Sequence, residues 1–110
     1  MASKTIEMVV YDYLCDNHTG KDNKVKNHEL RKIFGVSGDK KMRKIIQNIR
    51  EDKQFTQLVG SVSGSNGGYF ICENEDEITE TINNTRHRAN QMLRSCHIME
   101  WKGNMSLNNM

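Results

Sequence analysis

The chain carries its densest group of ligand-binding side chains between residues 40 and 50. They are Lys40, Lys41, Arg43, Lys44, Gln47 and Arg50. Ammonium and guanidinium groups bind phosphate oxygens, and the forked ends of Arg and Gln can bond two atoms on one base edge. Arg43 and Gln47 are therefore candidates for base contacts, whereas the lysines are candidates for phosphate contacts. This set of side chains fits the recognition of a nucleic-acid duplex.

The spacing of the apolar residues predicts which element would position these side chains. An apolar stripe at i, i+3, i+4 and i+7 runs through the same stretch, formed by Met42, Ile45, Ile46 and Ile49. Such a stripe occupies one side of a 3.6-residue helix. It predicts a helix over about residues 38–52, with one face buried and a cationic outer face.

A shorter helix and a tight turn come before this one. Starting at His28, apolar residues recur at i, i+3 and i+4, namely Leu30, Ile33 and Phe34. Gly35 can adopt the left-handed conformation that ends a helix, and Ser37 can cap the next one. A helix, a glycine-containing turn and a helix with a cationic face are typical of a helix-turn-helix, which places its second helix in the DNA major groove.

Charge is distributed unevenly along the 110 residues, although the net charge is only +2. Residues 1–60 contain 12 Lys and Arg against 8 Asp and Glu, whereas residues 61–110 contain 4 against 6. Positive charge is thus concentrated in the half that holds the helical pair, as binding to phosphates requires. The alternative is that these Lys-rich helices are only solvated surfaces.

Cysteine usage and hydropathy restrict the class of protein. The three cysteines, Cys15, Cys72 and Cys96, form no CxxC pair, which argues against a disulfide framework or a structural zinc site. No apolar run approaches the ~18 residues of a membrane span, and the first residues lack the apolar core of a signal peptide. We expect a soluble intracellular protein with no membrane contact.

The segments before the helical pair predict one further helix. Residues 4–16 place apolar side chains at i, i+3, i+4, i+7 and i+8, which is a wide apolar face. The polar loop 17–27 contains one aliphatic residue, Val25, which we expect to pair as a short strand with a later hairpin. Asn27 stands where it can cap the helix that begins at His28.

A β-hairpin is predicted after the cationic helix. Residues 58–62 and 69–72 are rich in β-branched and aromatic side chains, and the Gly/Ser/Asn segment 63–68 between them is a turn. Such a hairpin forms the wing of a winged helix; the alternative is an unrelated hairpin. Further predicted DNA contacts are Ser63, Ser65 and Asn66 on its tip, with Lys24 and Lys26 in the preceding loop.

A long helix is predicted from about residue 75 to residue 100. Asn74 and Glu77 match a capping box, although the acidic residues 75–77 leave a metal site as an alternative. Its inner positions follow a heptad seam, formed by Ile78, Ile82, Thr85, Ala89, Met92, Cys96 and Met99. We predict that this seam makes a homodimer; the alternative is packing along the chain's own first helix. Residues 102–110 are predicted to be a flexible tail.

The motifs Gly35-Val36-Ser37 and Gly67-Gly68-Tyr69 flank the cationic helix and the hairpin turn. In this arrangement the chain resembles winged-helix repressors of the biotin-repressor N-terminal type, and small winged-helix proteins of phages and prophages of Gram-positive bacteria. The resemblance implies a mostly helical α+β winged helix over residues 1–73 and a dimerisation helix over 74–101. It also implies a double-stranded DNA-binding regulator of transcription or replication in the cytoplasm of a bacterial host cell.

One residue departs from that family pattern, which usually has Arg or Thr soon after the turn. Asp39 stands there instead, and it would either face phosphate or stabilise the first turn of the helix. A winged-helix adaptor that binds another protein, without sequence-specific DNA binding, is the alternative function. An enzyme is not expected, because the four histidines show no metal spacing and the glycine-rich segment 63–68 lacks a following Lys-Ser/Thr. No cofactor or metal is predicted.

Overall fold

The computed structural model describes residues 4–109, and these form a mostly helical α+β chain, as the sequence predicts. In chain order the elements are α1 (Ile6–Asn17), a 3-10 turn (Lys21–Asn23), α2 (Asn27–Phe34), α3 (Asp39–Glu51), β1 (Val59–Val62), β2 (Gly68–Ile71) and α4 (Glu75–Asn108). The chain divides into two compact units, one ending at Ile78 and the other beginning at Thr79, so the division falls inside α4. No helix in residues 4–109 is long and apolar enough to cross a membrane.

The core of the first unit joins all of its main elements. Its fully buried side chains are Val10, Leu14, Leu30, Met42, Ile46, Ile49, Val59 and Ile71. The stripe of α3 is buried as predicted, and burial of each such side chain contributes about 1.5–3 kcal/mol. In α2 the prediction holds for Leu30 but not for Ile33, which is 50% exposed. The short α2 therefore contributes a narrower face than its sequence pattern indicates.

Two glycines, at positions 35 and 38, form the helix ends in the turn between α2 and α3, whereas the predicted Ser37 cap is not formed. Gly35 has φ 64° and ψ 31°, the left-handed stop that was predicted. Ser37 does not cap α3; Gly38 occupies that position with φ 97°, and the Ser37 hydroxyl instead accepts a bond from Lys41 Nζ at 3.2 Å. Positive φ favours glycine at both positions. The prediction that Ser37 is the cap is therefore wrong.

Asn27 is also not a cap. It is the first residue of α2, and its side chain donates to the Tyr69 hydroxyl at 3.1 Å and accepts from Arg31 Nε at 2.7 Å.

Helix α3 ends at Glu51, and Asp52 is the residue that follows it. The Asp52 carboxylate accepts the backbone and side-chain N–H groups of Gln54. These bonds lower the pKa of Asp52, because they favour its charged form.

The hairpin pairs in register from Val59 with Ile71 to Val62 with Gly68. Val25 adds a third, one-residue strand, as predicted: it exchanges both backbone bonds with Tyr69, at 2.9 and 2.8 Å. A Cβ at Gly68 would lie 2.4 Å from the Val25 carbonyl oxygen, so this close approach requires glycine. A second bridge, between Thr19 and Ile71, was not predicted.

Helix α4 begins at a side-chain cap. Asn74 Oδ1 accepts the Glu77 N–H at 2.9 Å, which confirms the Asn74 half of the predicted capping box. The return bond of the box, from the Asn74 N–H to the Glu77 carboxylate, is replaced by bonds from other residues. The Glu77 carboxylate accepts the N–H groups of Glu73 and Lys21, at 3.0 and 3.1 Å. At its other end the helix continues to Asn108, so the predicted helix end near residue 100 is wrong and most of the predicted tail, residues 102–110, is helical. No proline interrupts this segment, and Gly103 alone lowers helix stability by only about 1 kcal/mol.

Candidate nucleic-acid interface

Helix α3 presents its polar side to solvent because its other side is held in the core. Met42, Ile46 and Ile49 are each no more than 1% exposed. The predicted contact residues on the outer side are exposed, namely Lys40, Lys41, Arg43, Lys44 and Gln47. Together with Ser37 and Gly38 they line one shallow surface depression. The structure thus brings five of the predicted residues onto a single surface, which we call the α3 outer face.

The two predicted base-reading side chains are each bonded to a carboxylate. Arg43 Nε lies 2.8 Å from Asp39 Oδ2, and Gln47 Nε2 donates to Glu51 Oε1 at 3.0 Å. Positions 39, 43, 47 and 51 follow one another at i, i+4, so they form a row along the helix. Of the two alternatives for Asp39, the structure places it in the first turn of α3 with its carboxylate turned to Arg43.

Lys40 and Lys44 form a second row beside the first. Both are exposed, and within residues 4–109 no carboxylate oxygen lies within 4.0 Å of either ammonium group. Lys41 is exposed too, and among the described residues its ammonium donates to the neutral Ser37 hydroxyl. The α3 outer face therefore presents three lysine charges that no acidic group of the described chain neutralises.

Arg50 does not belong to this surface, which corrects the sequence prediction. Its Nε donates to the Val59 carbonyl at 2.8 Å and its Nη2 donates to the Ser61 hydroxyl at 3.1 Å. The side chain is half-buried, and its guanidinium joins the end of α3 to β1. Arg50 therefore fixes the hairpin beside α3 and is occupied within the chain.

The tip of the hairpin is polar and uncharged. Ser63, Ser65 and Asn66 are exposed there, and Gly64 makes the turn with φ 96°. Lys26 is also exposed and follows Val25, whose pairing with Tyr69 places it at the outer edge of β2. Lys24 is half-buried. The hairpin tip thus offers uncharged hydrogen-bonding groups, and Lys26 offers one exposed cation at the edge of β2.

The second unit contains the predicted heptad seam, and its side chains are exposed. Ile82 is 44% exposed, Met92 70% and Met99 67%. Thr85, Ala89 and Cys96 are exposed as well, as is Ile78 at the end of the first unit. A second apolar row at i, i+3 and i+7 consists of Ile98, Trp101 and Met105. Of these, the sequence pattern indicated only Ile98, as a residue that widens the seam. Side chains 82–109 are all exposed, so this segment buries no apolar core of its own.

Two further kinds of side chain could do chemistry, namely metal ligands and thiols. Within residues 4–109 no three His, Cys, Asp or Glu side chains lie close enough together to hold a metal ion. His18 is bonded through Nδ1 to the Asn23 carbonyl at 2.7 Å. Burial raises the pKa of the Cys15 thiol, which lowers its thiolate fraction at neutral pH.

No family model, curated protein or solved structure matches this chain. The features of the chain that suggest a function are therefore its own surfaces. In the first unit these are the α3 outer face and the hairpin that Arg50 joins to it. In the second unit they are the exposed apolar side chains.

Proposed function

We propose that this protein is a winged helix-turn-helix that binds double-stranded DNA with α3 in the major groove, as a regulator of transcription or replication in a bacterium or its phage. The observation that carries the proposal is the α3 outer face. Its five exposed polar side chains lie on a helix whose opposite side is fully buried. A rigid helix with unneutralised cations is what phosphate and base contacts require.

The surrounding elements support this reading. The left-handed Gly35 ends α2 just before α3, as in a helix-turn-helix, and residues 39–41 at the start of α3 are exposed. Arg50 holds the hairpin against the end of α3, where a wing would contact the DNA backbone or minor groove through Ser63, Ser65 and Asn66. Lys26, at the edge of the sheet, adds a phosphate contact.

A second copy of the chain is the partner proposed for the heptad seam. In water an apolar row such as Ile82, Met92 and Met99 is stabilised by burial, at roughly 25 cal/mol per Å². The same seven positions on two copies form a self-complementary seam with an unbroken 4-3 spacing, which is how two helices associate. A dimer would present two α3 helices to two half-sites.

The proposal is tested by measuring duplex binding of the variant Arg43→Ala/Lys44→Ala in gel-shift titrations at moderate salt. We expect at least tenfold weaker binding, because one forked donor and one phosphate-binding ammonium are removed. The control Lys4→Ala/Lys102→Ala removes two charges from exposed positions outside α3 and should change binding less than twofold. Equal binding by the wild type and the α3 variant would contradict the assignment of α3.

Salt dependence separates DNA binding from a role as a protein adaptor. A protein that neutralises phosphates loses affinity steeply between about 50 and 200 mM salt, because bound counterions are released. An adaptor with a net charge of +2 should bind duplex or heparin weakly and without specificity. Retention that depends on Arg43 and Lys44 would support the DNA-binding proposal, whereas weak retention unaffected by their removal would favour the adaptor.

A further inference from the structure

The row at positions 39, 43, 47 and 51 of α3 contains two bonded pairs of the same design. In each pair a carboxylate is bonded to a side chain that has further hydrogen-bonding groups to offer. All four residues are exposed, and an isolated surface pair of this kind contributes only about 0.3–0.5 kcal/mol to stability. The two pairs therefore add little to the stability of the fold. Their larger effect is to restrict the orientation of the Arg43 and Gln47 side chains.

The bond to Asp39 leaves one specific part of Arg43 available. Because Nε is held by Asp39 Oδ2 at 2.8 Å, the two Nη groups at the end of the guanidinium remain as a planar pair of donors. In the major groove guanine presents two adjacent acceptors, O6 and N7, which match such a pair. The other three bases present no two adjacent acceptors there, so Arg43 held in this way favours guanine.

The bond to Glu51 leaves Gln47 with a complementary pattern. One N–H of the amide is donated to Glu51 Oε1 at 3.0 Å, so one N–H and the carbonyl oxygen remain. Adenine presents the N7 acceptor beside the N6 donor, which matches one donor and one acceptor. Arg43 and Gln47 are four residues apart, or about 6 Å along the helix axis. Base pairs are spaced by about 3.4 Å, so this separation corresponds to roughly two steps.

We propose that Asp39 and Glu51 are positioning residues for sequence recognition, and that each half-site contains a guanine read by Arg43 and an adenine read by Gln47, about two base-pair steps apart. This inference rests on the proposed function and extends it to the bases that are read. Lys40, Lys41 and Lys44 supply affinity that is independent of sequence. Asp39 therefore improves discrimination between sequences even though its charge opposes phosphate.

The experiment is selection of bound duplexes from a random pool with the full chain, followed by titrations of the selected duplex and of duplexes with either base pair replaced. The variants are Asp39→Asn and Glu51→Gln, which keep side-chain size and remove the charge. Arg43→Lys keeps the charge but loses the fork, and Lys44→Ala is the control for loss of a phosphate contact.

We expect the wild type to prefer the guanine by at least tenfold, and Asp39→Asn to reduce this preference to about that of Arg43→Lys. Asp39→Asn should bind the random pool as well as the wild type or better. Glu51→Gln should weaken the preference for adenine alone, and Lys44→Ala should weaken binding to all duplexes equally.

Two results would overturn the positioning roles while leaving the proposed function intact. In the first, Asp39→Asn tightens binding to every duplex and keeps the full preference for guanine, so that Asp39 acts only as a neighbouring charge. In the second, the wild type binds the pool but selects no such guanine and adenine. No retention of the pool by the wild type would overturn the proposed function, and the positioning roles with it.

Discussion

Helix α3 and the segment of α4 from residue 82 to residue 108 are both regular helices, but their exposed sides differ in chemistry. In α3 the apolar side chains are buried, and the exposed side consists of lysines and bonded polar pairs. In the second segment every side chain is exposed, including Ile82, Met92 and Met99. The apolar side chains of α3 are therefore buried within its own unit, whereas those of residues 82–108 are not.

This difference indicates two kinds of partner. Exposed cations on a fixed helix favour a polyanionic ligand, since binding releases counterions and needs little rearrangement of the protein. Exposed apolar rows on a helix favour another protein surface, since only burial removes them from water. We therefore propose ligand binding for α3 and self-association for the seam, and the two proposals can be tested by separate substitutions.

The largest expected effect is on the buried side of α3. Ile46→Ala should lower the free energy of unfolding by about 2–5 kcal/mol, because it leaves a cavity among packed side chains. Ile98→Ala removes the same atoms from a side chain that is 56% exposed, and it should cost less than about 0.5 kcal/mol. Urea denaturation at one fixed protein concentration measures both, and similar losses would contradict the comparison of the two helices.

The next effect is on association. Met92→Glu places a charge in the seam and should weaken the dimer about a hundredfold, because a carboxylate buried without a partner is strongly unfavourable. Asn90→Glu adds the same charge outside the seam and should leave the dimer intact. Sedimentation equilibrium measures both variants, and a wild type that stays monomeric at high concentration would refute the proposed dimer.

The smallest effect concerns the lysine row of α3. The slope of log affinity against log salt concentration is negative, and Lys40→Ala/Lys44→Ala should make it shallower by about 2. Each lysine at a phosphate accounts for nearly one released counterion. Preference among duplex sequences should remain. Fluorescence anisotropy over a range of salt concentrations gives the slope, and the Lys4→Ala/Lys102→Ala protein is the matched control. An unchanged slope would place these lysines away from phosphate.

Local patterns in the sequence predicted the parts of the fold that depend on nearby residues. The apolar stripe of α3, the left-handed Gly35 and the Asn74 cap are all determined within one or two helical turns. The pairing of Val25 was predicted because it is the one aliphatic residue in a polar loop. The predictions of Ser37 and Asn27 as helix caps failed, because their side chains bond to Lys41 and to Tyr69 instead. The cap positions are occupied by Gly38 and Lys26, neither of which makes a side-chain cap bond.

The candidate site was less predictable than the fold. The i, i+4 spacing of Asp39 and Arg43, and of Gln47 and Glu51, was visible in the sequence and could have indicated both pairs. The orientation of Arg50 could not have been predicted in this way, because it depends on where β1 lies in the folded chain. The continued helix over residues 102–108 was missed because glycine and asparagine were given too much weight as helix-ending signals.

The central claim is that the α3 outer face lies against duplex DNA. The most direct measurement is an NMR titration of the ¹⁵N-labelled protein with a short duplex, in which the chemical shifts of the backbone amides are monitored. We predict that the largest shifts fall on residues 37–47 and on the hairpin tip, and that Arg43→Ala/Lys44→Ala needs at least tenfold more duplex to reach the same shifts. Shifts confined to residues 82–108, or no shifts at low salt, would contradict the claim.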